Sequence, residues 1–125
     1  MEFKIDTRET YVVITPLQTH LSVNMAAMLE ERAAQLAETG PANVLADLSN
    51  CQSADAAAFE HLAMWHEKAY AEGHSLVFTG LQAPVLQEAR EAQLDGAINI
   101  APTPIEGIDI ISMEIIEREL FDEEG

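Results

Sequence analysis

The chain has 125 residues, 48% of them hydrophobic, which bounds it to one compact domain with its own core rather than a disordered segment. Its 22 acidic and six basic residues leave a net charge of −16, a field that repels phosphate backbones and anionic lipid surfaces and argues against nucleic acid or membrane as partners. No apolar run is long enough to cross a bilayer, no signal-peptide pattern opens the chain, and the lone Cys51 has no partner for an internal disulfide, so a reducing, cytoplasmic setting is expected.

Residues 2–6 and 10–15 read as two strands joined by a turn at Thr7 to Glu9, an antiparallel hairpin. Ser22 is the expected N-cap of a first helix running to about Thr39, with Ala26, Leu29, Ala33 and Leu36 on its core face and Met25 and Met28 off that stripe. Gly40-Pro41 stops it. Asn43 to Leu48 is almost continuously apolar, the pattern of a strand covered on both faces. Asp55 is the expected cap of a second helix to about Glu72, whose stripe is Phe59, Leu62, Ala63, His66 and Tyr70. Leu76 to Phe78 is a further buried strand. Pro84 opens a third helix ending near Asp95-Gly96, and residues 98–100 form a short edge strand.

Thr103-Pro104-Ile105-Glu106 is a capping box with proline at the first helical position, so the last apolar segment reads as a helix from Pro104 to about Leu120, followed by a frayed acidic tail over 121–125. That helix carries two apolar stripes: Ile108, Ile111 and Ile115 on one, Met113, Ile116 and Leu120 on the other. One domain needs to bury only one of them, which leaves room for a homo-oligomer or partner contact through this helix. Strands separated by helices favour parallel pairing, and the hairpin makes the sheet mixed.

The segment from Val44 to Phe59 takes a buried strand through the polar loop Ser49-Asn50-Cys51-Gln52-Ser53 to an aspartate that opens an alanine-rich helix. It resembles the central segment of STAS domains, the sulfate-transporter and anti-sigma-antagonist family, whose regulatory members read D-L-S-x-x-x-x-x-D-S-S-G-L there. Asp55, Ala56, Ala57, Ala58 and Phe59 stand at the D-S-S-G-L positions. Leu76 to Leu81, Leu94-Asp95 with Ile98 to Pro102, and the ending Met113 to Leu120 extend the likeness over nearly the whole chain.

The resemblance implies an α/β STAS fold: a mixed, mainly parallel sheet of about four or five strands, an N-terminal β-hairpin and about four surrounding helices. It implies a non-enzymatic regulator without metal or cofactor, of the anti-sigma-factor-antagonist type, whose partner is an anti-sigma factor of the serine-kinase type. The family's phosphorylated serine falls at Ala57, which has no hydroxyl, so binding is expected to be independent of phosphorylation there. The expected partner surface is His20, Leu21, Ser53, Asp55, Ala56, Ala57, Ala58 and Phe59. Ser53 lies in the same loop as a second hydroxyl whose ordinary role is to satisfy loop backbone. The competing reading is a small-ligand-binding or scaffold module with a pocket beside Asp55.

The residues themselves offer little catalytic chemistry. His61 and His66 lie about 140° apart around a helix, which defeats a shared zinc site. His66 reads as a satisfied core histidine and His61 as a surface one. Cys51 sits in an acidic chain that gives a thiolate no support.

Overall fold

A computed structural model of the chain describes residues 2–124. The hairpin is β1 (Phe3–Thr7) and β2 (Val12–Pro16), antiparallel, with Ile5 opposite Ile14. Then come β3 (His20–Leu21), α1 (Val23–Ala37), β4 (Val44–Asp47), β5 (Ser53–Ala54), α2 (Ala56–Ala71), β6 (Leu76–Thr79), α3 (Ala83–Glu91), β7 (Asn99–Ala101) and α4 (Pro104–Glu124). The main sheet has the order β1-β2-β4-β6-β7, parallel except for its first pair. This is the mixed α/β sheet expected, with four helices.

Side-chain alternation along the central strands feeds two separate cores. Val12, Ile14, Val44, Ala46, Leu76 and Phe78 point to the side covered by α1, α2 and α3. Val13, Leu45 and Val77 point to the other side, where α4 packs with Ile111. Phe78 meets Trp65 edge-on at 5.9 Å between ring centroids. On α2 the buried positions are Ala58, Phe59, Leu62, Trp65 and Ala69; Ala63, His66 and Tyr70, expected on the same stripe, are only partly buried.

Gly107 sets how closely α4 lies on the sheet. A Cβ there would stand 2.6 Å from Leu45 Cδ1. Ser22 caps α1 as expected, its Oγ accepting from the Met25 amide at 3.1 Å. Thr103 Oγ1 likewise accepts from the Glu106 amide at 3.3 Å.

Several expectations are corrected. Met25 is fully buried rather than off the core face, in the same buried cluster as Leu21, Ala26 and Leu29. The acidic tail is helical through Glu124 instead of frayed, since α4 simply continues past Leu120; Gly125 lies outside the described residues. The first helix ends at Ala37 and the third at Glu91, both short of the expected stops, as closing turns take over. His61 is half-buried and bonded to Glu30 at 2.8 Å, because α1 and α2 pack side by side. His66 is not satisfied: its Nε2 is buried with no hydrogen-bond partner among the described residues.

Candidate functional site

Three loops meet at the carboxyl end of the parallel strands. The one after β2 holds residues 17–21, the one after β4 holds 48–55, and the one after β6 begins at Gly80. They are tied together mainly through backbone. The amides of Gln52 and Ser53 donate to Thr19 O at 2.7 and 3.3 Å, and that of Asp55 donates to Leu21 O at 2.9 Å. Asn50 Nδ2 donates to Pro16 O, and Gln82 Nε2 to Ser49 O. The result is a two-residue parallel ladder, β3 on β5, pairing His20 with Ser53 and Leu21 with Ala54. Gly80 opens the third loop with φ +74°; a Cβ there would meet Asp47 Oδ1 at 2.6 Å.

The ladder sets the side chains of the corner. Successive strand residues face opposite ways, so Leu21 and Ala54 turn into the core while His20 and Ser53 face solvent. His20 then bridges two residues of the other loop. Its Nδ1 lies 2.7 Å from Ser53 Oγ and its Nε2 lies 3.0 Å from Asp55 Oδ1. A carboxylate can only accept, so in the neutral ring Nε2 carries the hydrogen and Nδ1 accepts from the Ser53 hydroxyl.

This bridge changes the role expected of Asp55. The residue occupies the N-cap position of α2 with extended backbone, but its side chain makes no capping hydrogen bond. It is held by His20 instead. Ala56 and Ala57 follow, both exposed, so the first turn of α2 presents methyl groups to solvent.

The expected surface therefore divides. His20, Ser53, Asp55, Ala56 and Ala57 share one exposed corner. Leu21, Ala58 and Phe59 are fully buried beneath it and shape it from below. Cys51 is buried in the same loop, its Sγ pointing to Gln18 O at 3.8 Å; burial, with help from Asp47, pushes the thiol up to about 11. It is an inert packing residue.

Cavities of about 240, 260, 440 and 550 Å³ lie away from this corner, and His20 and residues 53–59 line none of the four. Among the described residues no group of three or more His, Cys, Asp or Glu side chains is arranged to hold a metal ion, and no helix is long and apolar enough to cross a membrane.

Residues 7–102 match the family model described as "Mlab, STAS domain". No curated protein matches the chain by sequence. Solved structures do match by shape. A variant of RsbS from Moorella thermoacetica superposes with a TM-score of 0.70 at 19% identity, over 90% of this chain and 96% of that one. An anti-sigma factor antagonist from Mycobacterium paratuberculosis gives 0.72 at 15% identity, over 89% and 93%. The murine anion transporter Slc26a9 gives 0.67 at 13% identity, covering 85% of this chain but 18% of the transporter. The hairpin, the parallel strands behind it and the loop-to-helix corner thus coincide with a match over most of the sequence, and the chain belongs to the STAS domain family.

Proposed function

We propose that the chain is a cytoplasmic, non-enzymatic protein-interaction module of the anti-sigma-factor-antagonist kind. It binds an anti-sigma factor of the serine-kinase type, or a related signalling protein, through the corner made by His20, Ser53, Asp55, Ala56 and Ala57. Binding needs no phosphorylation at position 57.

The observation that carries this reading is the exposed first turn of α2. Phosphorylation adds nearly two negative charges and needs a hydroxyl. Ala57 supplies a solvent-facing methyl at that position, so position 57 cannot take up that charge. The neighbouring polar rim is pre-formed. The His20 bridge fixes Ser53 and Asp55 before any partner arrives, which lowers the ordering cost of association. The anti-sigma factor antagonists of the same fold favour a regulatory role over transport.

The competing small-ligand reading finds little support, since none of the four cavities is lined by Asp55. The test is affinity capture from lysate of the source organism with the parent chain, Ala57→Asp and Ala57→Ser. Recovery of an ATP-binding anti-sigma kinase that is lost in Ala57→Asp and kept in Ala57→Ser is expected. Failure to recover such a protein, or capture indifferent to Ala57→Asp, overturns the proposal.

A further inference from the structure

Neither core nor corner uses the outer face of α4. Ile105, Met113, Ile116 and Leu120 are 72, 61, 55 and 53% exposed. At about 100° per residue they fall within one sector of roughly 80°, on the side of the helix opposite Ile111, and span about 22 Å of its length. Phe121 adjoins them, also exposed. Isolated apolar residues on a surface need no explanation, but several gathered along one face of a helix mark a contact.

The charges around the stripe have one sign. Glu106 and Glu117 flank one edge, Glu119 flanks the other, and Asp109 interrupts the stripe itself. The only basic residue of the helix, Arg118, is turned away. Its Nη2 donates to Asn43 Oδ1 at 3.2 Å and to Ser75 Oγ at 3.0 Å on the sheet side. Glu114 is also occupied inward, accepting from Tyr70 Oη at 2.7 Å.

We infer that this face docks a cationic amphipathic helix of a partner protein. The partner's apolar stripe covers Ile105, Met113, Ile116 and Leu120; its basic flanks meet Glu106, Glu117 and Glu119, and one cation sits opposite Asp109. A second copy of the chain is the poorer occupant. A two-fold interface sets the patch against itself. Antiparallel pairing that matches Ile105 with Leu120 brings Glu106 beside Glu117 along their common edge; parallel pairing sets Asp109 on Asp109 and brings Glu117 beside Glu119. Like charges face each other either way, between molecules that each carry −16. A polar residue inside an apolar stripe commonly selects a complementary partner in this manner. The site lies across the sheet from the Ala57 corner and does not depend on what that corner binds.

The test uses the full chain, isotope-labelled for nitrogen–proton spectra, and two synthetic peptides of about 18 residues, enough to span the stripe. Both contain the same leucines, lysines and alanines. One places leucine on a single helical face with lysine at its flanks; the other scrambles the order. The patterned peptide should bind about tenfold or more tighter than the scrambled one, with shifts concentrated on the outer face of α4. Met113→Ser with Ile116→Ser should weaken it about tenfold or more, the loss usual for removing central apolar anchors. Asp109→Asn should weaken it less and flatten its salt dependence. All three substitutions are at exposed positions, and circular dichroism checks that each variant is folded. Equal binding of the two peptides means net charge alone attracts them and overturns the proposal. So does binding unaffected by the double substitution, or a chain that sediments as a dimer which the double substitution dissociates.

Discussion

The two sides of the sheet are built differently. On one side α1, α2 and α3 enclose a thick core in which Phe59, Leu62, Met25, Leu29, Phe78 and Ile14 are all sealed. On the other, α4 alone covers Leu45, Val77 and Ala101 through Ile111, with Tyr11, Val13, Ile108, Ile110 and Ile115 packed partly buried around them. The Ala57 corner is anchored in the thick side: Leu21, Ala58 and Phe59 are its floor. Alpha4 is a strap, held by close approach at Gly107 and by polar ties at its far half. The corner proposed to bind a partner is built on the deep core, whereas a helix that carries its own exposed stripe rests on the shallow one.

Truncation in the two cores should separate them. Phe59→Ala removes a sealed aromatic from beneath the corner and should cost about 3–5 kcal/mol, a large share of the about 5–15 kcal/mol that holds a domain folded. Ile111→Ala on the strap side should cost less, about 2–3 kcal/mol, because a one-helix layer can settle into the space more easily than an enclosed one. Urea midpoints of the two variants make the comparison; equal losses would mean that the strap is as deeply embedded as the other three helices. Gly107→Val tests the strap from the opposite direction. Its Cβ would meet Leu45 Cδ1, itself fully buried and without room to yield, so overpacking of about 1–3 kcal/mol is expected, read as a lower melting temperature.

This asymmetry was partly legible in the residues. The run Asn43 to Leu48 announces a strand covered on both faces, and the Thr103–Glu106 box announces a helix where Ile108 to Ile111 alone could have been a strand. The doubled stripe on the last helix was also readable, and its outer half is indeed exposed. The corner was legible only as a region. A ladder two residues long has no period to detect, so β3 and β5 leave no mark in the sequence. The bond from Asp55 to His20 spans 35 positions, and local capping rules naturally assign that carboxylate to its own helix. Likewise the division of Leu21, Ala58 and Phe59 from His20, Ser53 and Ala57 follows from the direction each side chain takes in three dimensions.

The polar ties give a finer test of the strap. Tyr70 Oη donates to Glu114 Oε1 at 2.7 Å and accepts from Asn99 Nδ2 at 2.6 Å, linking α2, β7 and α4. Tyr70→Phe leaves both partners half-buried and unpaired, which should cost about 1–3 kcal/mol. Hydrogen exchange should show the loss mainly in α4, while the α2 amides under the Ala57 corner stay protected. The phenol also predicts alkaline behaviour. Burial, reinforced by the bond to Glu114, raises Tyr70 from its ordinary 10 to about 12. The fold favours the neutral form, so stability should fall as pH rises from about 10 towards 12, and Tyr70→Phe should remove that part of the decline.

The smallest expected effect lies one turn earlier on α2. His66 stacks on Tyr70 with ring centroids 4.5 Å apart, and its Nε2 is buried without a partner among the described residues. Burial lowers its pKa below the ordinary 6.5, against a smaller upward pull from Glu114. The unfolded chain therefore takes up the proton first. Stability owed to neutral His66 should be complete above about pH 6.5 and lost as pH falls from there through the lower folded value. Acidification also neutralises carboxylates and relieves the self-repulsion of a −16 chain, which works in the opposite direction. The difference between the parent and His66→Leu isolates the histidine. Melting temperatures of the two at pH 8 and pH 5.5 should converge on acidification if the parent is the more stable at pH 8, or diverge in favour of His66→Leu if it is not. A difference that stays constant between the two pH values would show that this histidine titrates alike in the folded and unfolded chain, and that α2 tolerates a charge where it meets the strap.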